Sequence, residues 1–330
     1  MGSKFLVSKR SCELSLVSAV LTCAVLAQTA PTNTRALRGE PHLFGPGVIS
    51  TPDFEFNASF TPDGKTVYFS KSDVGFNRIT VVFSRNKDSR WTEPEVAPFS
   101  GVWKDTDPFV APNGKKLFFI SNRPIGTEKT PRKDYDIWFV ERAGTDQWSD
   151  PVHINGPVNT DDFELYPSVT RDGTLYFCAM RGGHSGTHIY RARLVNGEYG
   201  APELLSFSTQ ANDIDPTIAA DESFLVFASR DRGGSGQGDL FVSFRRPDGQ
   251  WSVPKNLGAP INSSFNEFAT GLSADNRKLY FASNRIDLTM PRRNRINYKQ
   301  LGEELNEILN GQPNIYEVDI TELRVLDDGK

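Results

Sequence analysis

The chain has 330 residues, of which 38% are hydrophobic, fewer than the ~45–50% usual on a scale that also counts glycine. Phe (23), Gly (27) and Pro (21) are abundant and Met (3) is scarce, a balance that favours short strands and tight turns over helices. A net charge of −4 excludes a nucleic-acid binder that works by bulk positive charge, and the mixed charges argue against wholesale disorder.

Lys4, Lys9 and Arg10 precede a mostly apolar run from Leu14 to Ala27, interrupted by Ser15, Ser18 and Thr22. This has the form of a secretory signal peptide over residues 1–27, too short for a membrane span, with an uncleaved anchor as the alternative. No later stretch of the sequence is long and apolar enough to span a membrane. Cleavage would remove Lys4, Lys9, Arg10 and Glu13 from 37 basic and 41 acidic residues, leaving a mature net charge near −6. It would also remove Cys12 and Cys23. A periplasmic or secreted chain with Cys178 alone must rest on its core rather than on disulfides. Cys178, inside Leu175–Ala179, reads as a small buried strand residue.

From residue 39 onward one unit recurs five times. An acidic residue opens a strand, a turn follows, and an aromatic-rich strand returns. The copies run Glu55 to Phe69, Asp105 to Phe119, Glu164 to Phe177, Asp213 to Phe227 and Glu267 to Phe281, the third one residue short. Their turns are Asp63-Gly64, Asn113-Gly114, Asp172-Gly173, Asp221-Glu222 and Asp275-Asn276; Asp-Gly and Asn-Gly supply the positive φ that hairpins need. A third strand is predicted at Ile79–Arg85, Asp136–Arg142, His188–Arg193, Asp239–Arg245 and Asn314–Asp319. An outer strand is predicted at Trp91–Pro94, Trp148–Pro151, Tyr199–Pro202 and Trp251–Pro254, where proline marks an edge.

Four strands per fifty residues make a propeller blade. The fifth repeat lacks an outer strand, and Gly39–Val48 matches the segments after Ser149 and Ser252, so it is expected to close that blade; Leu323–Leu326 is the rival. The fold is therefore expected to be all-β. It would be a single five-bladed propeller over 39–320, with blades at about 53–104, 105–161, 162–211, 212–264 and 265–320 plus 39–48. A helical insertion at 286–313 and a tail at 321–330 complete the chain.

Asp105-Thr106-Asp107-Pro108 and Asp213-Ile214-Asp215-Pro216, followed by Asp/Asn-Gly, Leu-Tyr-Phe and Ser-Asn-Arg, resemble the WD40-like β-propeller repeat of TolB-type exported proteins. The resemblance covers essentially the whole mature chain. It implies the fold and points to binding rather than chemistry. Three repeats depart from it, with Asn57-Ala58, Tyr166-Pro167 and Ala269-Thr270 in place of Asp-Pro.

Two charge columns follow from the register. Glu55, Asp105, Glu164, Asp213 and Glu267 open the first strands, and Lys71, Arg123, Arg181, Arg230 and Arg285 follow the second strands. Antiparallel pairing puts both columns at one mouth. Either each carboxylate pairs with a cation and fixes the loops, or the five carboxylates converge on a cation such as Ca²⁺. The same mouth should carry the long loops, including the Gly-rich stretches 181–188 and 230–238. In the 286–313 insertion, Leu301, Leu305, Ile308 and Leu309 share one face of a helix expected to end near Asn310-Gly311, packed over the mouth or acting as a lid or partner-binding helix. His184 and His188 lie four apart on a Gly-rich loop, a weak metal pattern.

The expected function is an exported, non-catalytic binding module, acting as a monomer on a protein partner or an envelope glycan through the charged mouth. Arg123, Arg181, Arg230 and Arg285 are the candidate ligand contacts, with Trp103, Phe163 and Phe265 able to stack on a sugar. The alternative is a glycosidase or lyase, with Asp107, Asp161, Asp162 and Asp215 as first suspects.

Overall fold

The computed structural model describes residues 39–144, 147–209, 212–286 and 295–327. The signal-peptide pattern with Cys12 and Cys23, and Arg292, Arg293 and Asn294, lie outside the described residues. Among those described, five antiparallel sheets are arranged as the blades of a propeller. Blade one comprises Phe54–Phe60, Thr66–Ser72, Ile79–Lys87 and Glu95–Val96. Blade two comprises Asp105–Val110, Lys116–Ser121, Asp136–Gly144 and Val152–His153. Blade three comprises Glu164–Val169, Leu175–Ala179, His188–Ala192 and Glu203–Leu204; blade four comprises Asp213–Ile218, Phe224–Ser229, Asp239–Phe244 and Lys255–Asn256. Blade five takes Glu267–Leu272, Lys278–Ser283 and Asn314–Asp319 from the end of the chain and His42–Leu43 from its beginning.

That hand-over is a direct strand pairing. His42 stands opposite Glu317 and Leu43 opposite Tyr316, and the Phe44 N–H donates to the Ile315 carbonyl at 2.9 Å. Leu323–Leu326, the rival, is a 3-10 helix. Closure leaves no unpaired edge between first and last blades.

The five first strands pack side by side in a ring, each against those of the neighbouring blades. Behind them each second strand contributes one fully buried ring, Phe69, Phe119, Phe177, Phe227 or Phe281. Each such ring contributes roughly 1.5–3 kcal/mol by leaving water. The hairpin between the first two strands tightens around one left-handed residue, Gly64, Gly114, Gly173, Glu222 or Asn276. Asp63, Asp172 and Asp275 are anchored there by turn hydroxyls and N–H groups, which hold their carboxyls below the usual range.

The outer strands lie just beyond where proline and tryptophan suggest. Pairing with the third strand begins after Pro94, Pro151, Pro202 and Pro254, as it does after Pro41. Trp91 and Trp148 instead end short extensions of the third-strand hairpin. Proline blocks a ladder bond at its own position, so the edge strand starts past it.

The helix in the blade-five insertion is shorter than its apolar spacing predicts. It spans Tyr298–Leu305 and starts in a capping box between Asn297 and Gln300. It buries no residue, and Leu305 is exposed. Ile308 and Leu309 lie past its end; Leu309 packs against the core cluster shared by blades one, four and five. Among the described residues no helix is long and apolar enough to cross a membrane.

Candidate functional site

The acidic column is fully buried in all five blades. Each carboxylate is paired within its own blade or the linker entering it; Glu55 also accepts from the Asn314 amide of blade five at 3.3 Å, and among the described residues Asp105 Oδ2 has no hydrogen-bond partner. Asp105 accepts from Arg123 at 2.6 Å and from Ser121 at 2.6 Å. Glu267 is held by Arg285 at 3.1 Å, Ser283 at 2.7 Å and Ser263 at 2.6 Å. Glu164 is held by Arg181 and Thr160, and Glu55 by Lys71 at 3.1 Å and by Thr51. In blade four the partner of Asp213 is Arg232, at 2.7 Å, and not Arg230. The second-strand count placed Arg230 in the column, but the position held by Arg123, Arg181 and Arg285, two residues past the strand end, is Asp231 in blade four, and of the arginines flanking it Arg232 makes the pair.

The four paired arginines share a second role. Arg123, Arg181, Arg232 and Arg285 lie over Phe119, Phe177, Phe227 and Phe281 at 5.0, 5.1, 5.4 and 5.4 Å. Each also donates to a linker carbonyl, that of Phe99, Val158, Phe207 or Ile261. A planar guanidinium satisfies a carboxylate, a carbonyl and an aromatic face together. The ring therefore locks each linker to its blade, and the expected ligand contacts Arg123, Arg181 and Arg285 are occupied by internal partners. Arg230 alone of that set is exposed. The five carboxylates do not gather, and among the described residues no group of three or more His, Cys, Asp or Glu could hold a metal.

Other expected groups are also dispersed. Asp161 and Asp162 are exposed on the loop entering blade three, and Trp103, Phe163 and Phe265 are half-buried, Phe163 against Tyr135 at 6.2 Å. His188 is buried with its ring nitrogens facing the Ser208 and Ser185 carbonyls at 2.6 and 3.2 Å, so neither is open to a metal. Cys178 is fully buried, and burial pushes its thiol far above the usual range.

The structure brings Asp107 and Asp215 together with residues the sequence did not single out. Two positions beyond each acidic residue, the first strand bulges through one left-handed residue: Asn57, Asp107, Tyr166, Asp215 and Ala269, with φ between 53° and 60°. Such a backbone costs a non-glycine residue roughly 1–2 kcal/mol, least for Asn and Asp. Neighbouring strands hold it in place: Asp107 accepts the Tyr166 N–H at 3.2 Å and Asp215 the Ala269 N–H at 2.5 Å.

Four of these residues, Asn57, Asp107, Tyr166 and Asp215, with Thr270 next to Ala269, line an axial cavity of about 120 Å³ that all five first strands border. It opens among Pro62, Pro112, Arg171, Ala220 and Ala274, at the hairpin-turn end. That is the opposite end from the expected charged mouth. Asp107 and Asp215 are 3% and 1% exposed, and Asn57 is 7% exposed. Among the described residues, Asp215 Oδ1 and Asn57 Oδ1 have no partner within ordinary hydrogen-bond distance, although the Tyr166 hydroxyl stands near the Asp215 carboxyl, and a buried acceptor is costly unless a ligand or water supplies a donor.

Burial, with the Asp215 charge second, holds the Asp107 carboxyl well above the usual carboxylate range. Burial pushes Asp215 up to about 7, opposed by the Ala269 N–H, the Arg230 charge and the Tyr166 hydroxyl. Both carboxyls are thus held above the usual carboxylate range, Asp215 at about 7.

The repeat itself held the missing signal. Columns that recur unchanged are scaffold; the one that varies, Asn, Asp, Tyr, Asp and Ala, lies at the bulges.

No family profile matches the sequence, and no curated protein matches it. Among solved structures, the chain is similar to a putative TolB from Agrobacterium tumefaciens (15% identity, 82% of this chain and 91% of that one, TM-score 0.47). It is also similar to an alpha-L-arabinofuranosidase from Lactobacillus brevis (10% identity, 84% and 92%, TM-score 0.48). An endo-arabinase from Bacteroides thetaiotaomicron VPI-5482 gives 13% identity, 72% and 91%, and a TM-score of 0.47.

Proposed function

We propose that the chain is an exported binding module that receives the hydroxyl-rich end of an envelope glycan in the axial cavity. The observation that carries this reading is the pair of unpartnered acceptors, Asp215 Oδ1 and Asn57 Oδ1, buried in a cavity open at one end. Sugar hydroxyls are donors of the right size to satisfy both. The Thr217 and Thr270 hydroxyls, 2.9 Å apart, add polar lining. Export rests on the basic and apolar pattern of residues 1–27.

Binding rather than turnover is favoured because Asp107 and Asp215 each commit one oxygen to a neighbouring backbone N–H. A second reading, glycan cleavage, is favoured by two carboxyls in one cavity whose environments hold them above the usual range, since such chemistry uses a pair of carboxyls with a raised general acid. The test is binding and turnover over a glycan panel with the mature chain, Asp107→Asn and Asp215→Asn. Binding without turnover supports the module; turnover lost in either folded variant establishes the enzyme instead.

A further inference from the structure

The axial cavity is not isolated on its face of the propeller. Ala111, Pro112 and Arg171 line it and also line a second depression, a groove of about 1100 Å³ between blades two and three. Arg171 sits on the shared lip, exposed at the blade-three hairpin. Lys115, exposed at the blade-two hairpin, faces the same groove. Among the described residues neither side chain has a carboxylate within salt-bridge distance, whereas Lys116 in the same wall is paired with Glu141 at 3.2 Å. Arg142 adds a third cation over Trp148. Opposing carboxylates are Asp172, tied into its own turn by Thr170 and Thr174, Glu198, and Asp221 of the neighbouring hairpin, which feels the Arg171 charge beyond salt-bridge distance. The groove is locally cationic in a chain of net negative charge.

We propose that this groove continues the axial site and holds the body of a linear glycan bearing carboxylates, of the uronic-acid class. Its hydroxyl-rich end enters the axis and Arg171 grips the chain where it leaves. The inference rests on the axial reading for the end group and adds the ligand's length, direction and charge. A carboxylate suits Arg171 because the guanidinium fork can bind it bidentately, and Lys115 supplies a point charge farther along. Neutral glycans would fill the axis without gaining from the groove.

The test is calorimetric titration of residues 28–330 with oligogalacturonides of one to eight residues, neutral cello-oligosaccharides of the same lengths, and poly-glutamate. Wild type, Lys115→Glu, Arg171→Glu and Ala274→Trp, which fills the axial opening at an exposed position, are compared. The proposal expects affinity for the uronic series to rise at least tenfold between two and six residues and to weaken with salt. That gain should vanish in Lys115→Glu and Arg171→Glu, and all uronic binding should fall in Ala274→Trp. Binding of neutral and uronic series alike, lost in Ala274→Trp without any gain from carboxylates, overturns the groove and leaves the axis standing. Uronic binding that Ala274→Trp leaves intact overturns the axial reading and the continuity with it. Equal binding of poly-glutamate with the same Arg171 dependence overturns the glycan in favour of an acidic protein, and no uronic binding by wild type overturns the proposal outright.

Discussion

Asp215 accepts the backbone N–H of Ala269 at 2.5 Å, joining the bulge of blade four to that of blade five. This bond survives protonation, but the buried charge does not come free. Burial raises the carboxyl from an ordinary 3.8 to about 7. A group whose pKa is raised on folding contributes stability below its unfolded value, and the contribution is lost as pH rises through the folded one. Stability should therefore fall between about pH 4 and pH 7, by on the order of 4 kcal/mol from this group. Asp107 shifts in the same direction. Urea denaturation across pH 4.5–8.5 should show the fall in wild type and a flatter profile in Asp215→Asn, whose amide oxygen keeps the Ala269 bond.

Arg232 and Arg230 should behave as opposites. Arg232→Ala leaves Asp213 buried without its cation, a loss of roughly 3–5 kcal/mol for a broken buried pair. Arg230→Ala, at an exposed position, should stay within about 0.5 kcal/mol. Thermal denaturation of the two variants separates them, and equal losses would contradict the assignment of Arg232 to the ring.

This pair also marks how far the sequence could be read. The five hairpins were legible because an Asp- or Asn-led turn recurs four or five residues before a buried phenylalanine, and Gly39–Val48 was legible as a strand from its proline and the linker after it. Arg230 stood in for Arg232 because the two flank the column position, held in blade four by Asp231, and spacing alone does not choose between them. The bulges were hidden for a different reason. A left-handed residue is usually announced by glycine, and here Asn57, Asp107, Tyr166, Asp215 and Ala269 occupy it under tertiary constraint. Their variety looked like repeat degeneracy. The cavity opening at the hairpin-turn end was therefore invisible, while the charged columns drew attention to the other mouth.

The first strand of the described chain completes the last blade, so its loss should affect the whole ring. Phe44 is buried against Tyr280, Phe60 and Trp91. Phe44→Ala should cost about 3–5 kcal/mol. Deleting residues 39–48 should expose the Asn314–Asp319 edge and promote association. Melting temperature and light scattering report these two effects.

The insertion helix should uncouple from the ring. Asn297→Ala removes its capping box, worth about 1 kcal/mol to the helix. Because the helix buries nothing, hydrogen exchange should quicken over Tyr298–Leu305 while the global melting temperature holds. A matching global loss would show that the helix is packed.

The most direct test of the axial site is a glycan array probed with labelled residues 28–330, in wild type and in Ala274→Trp, with folding checked by circular dichroism. Wild type should bind a defined set of glycans, and the tryptophan should weaken that binding at least tenfold by filling the opening of the cavity. Undiminished binding by the folded Ala274→Trp variant would contradict the site.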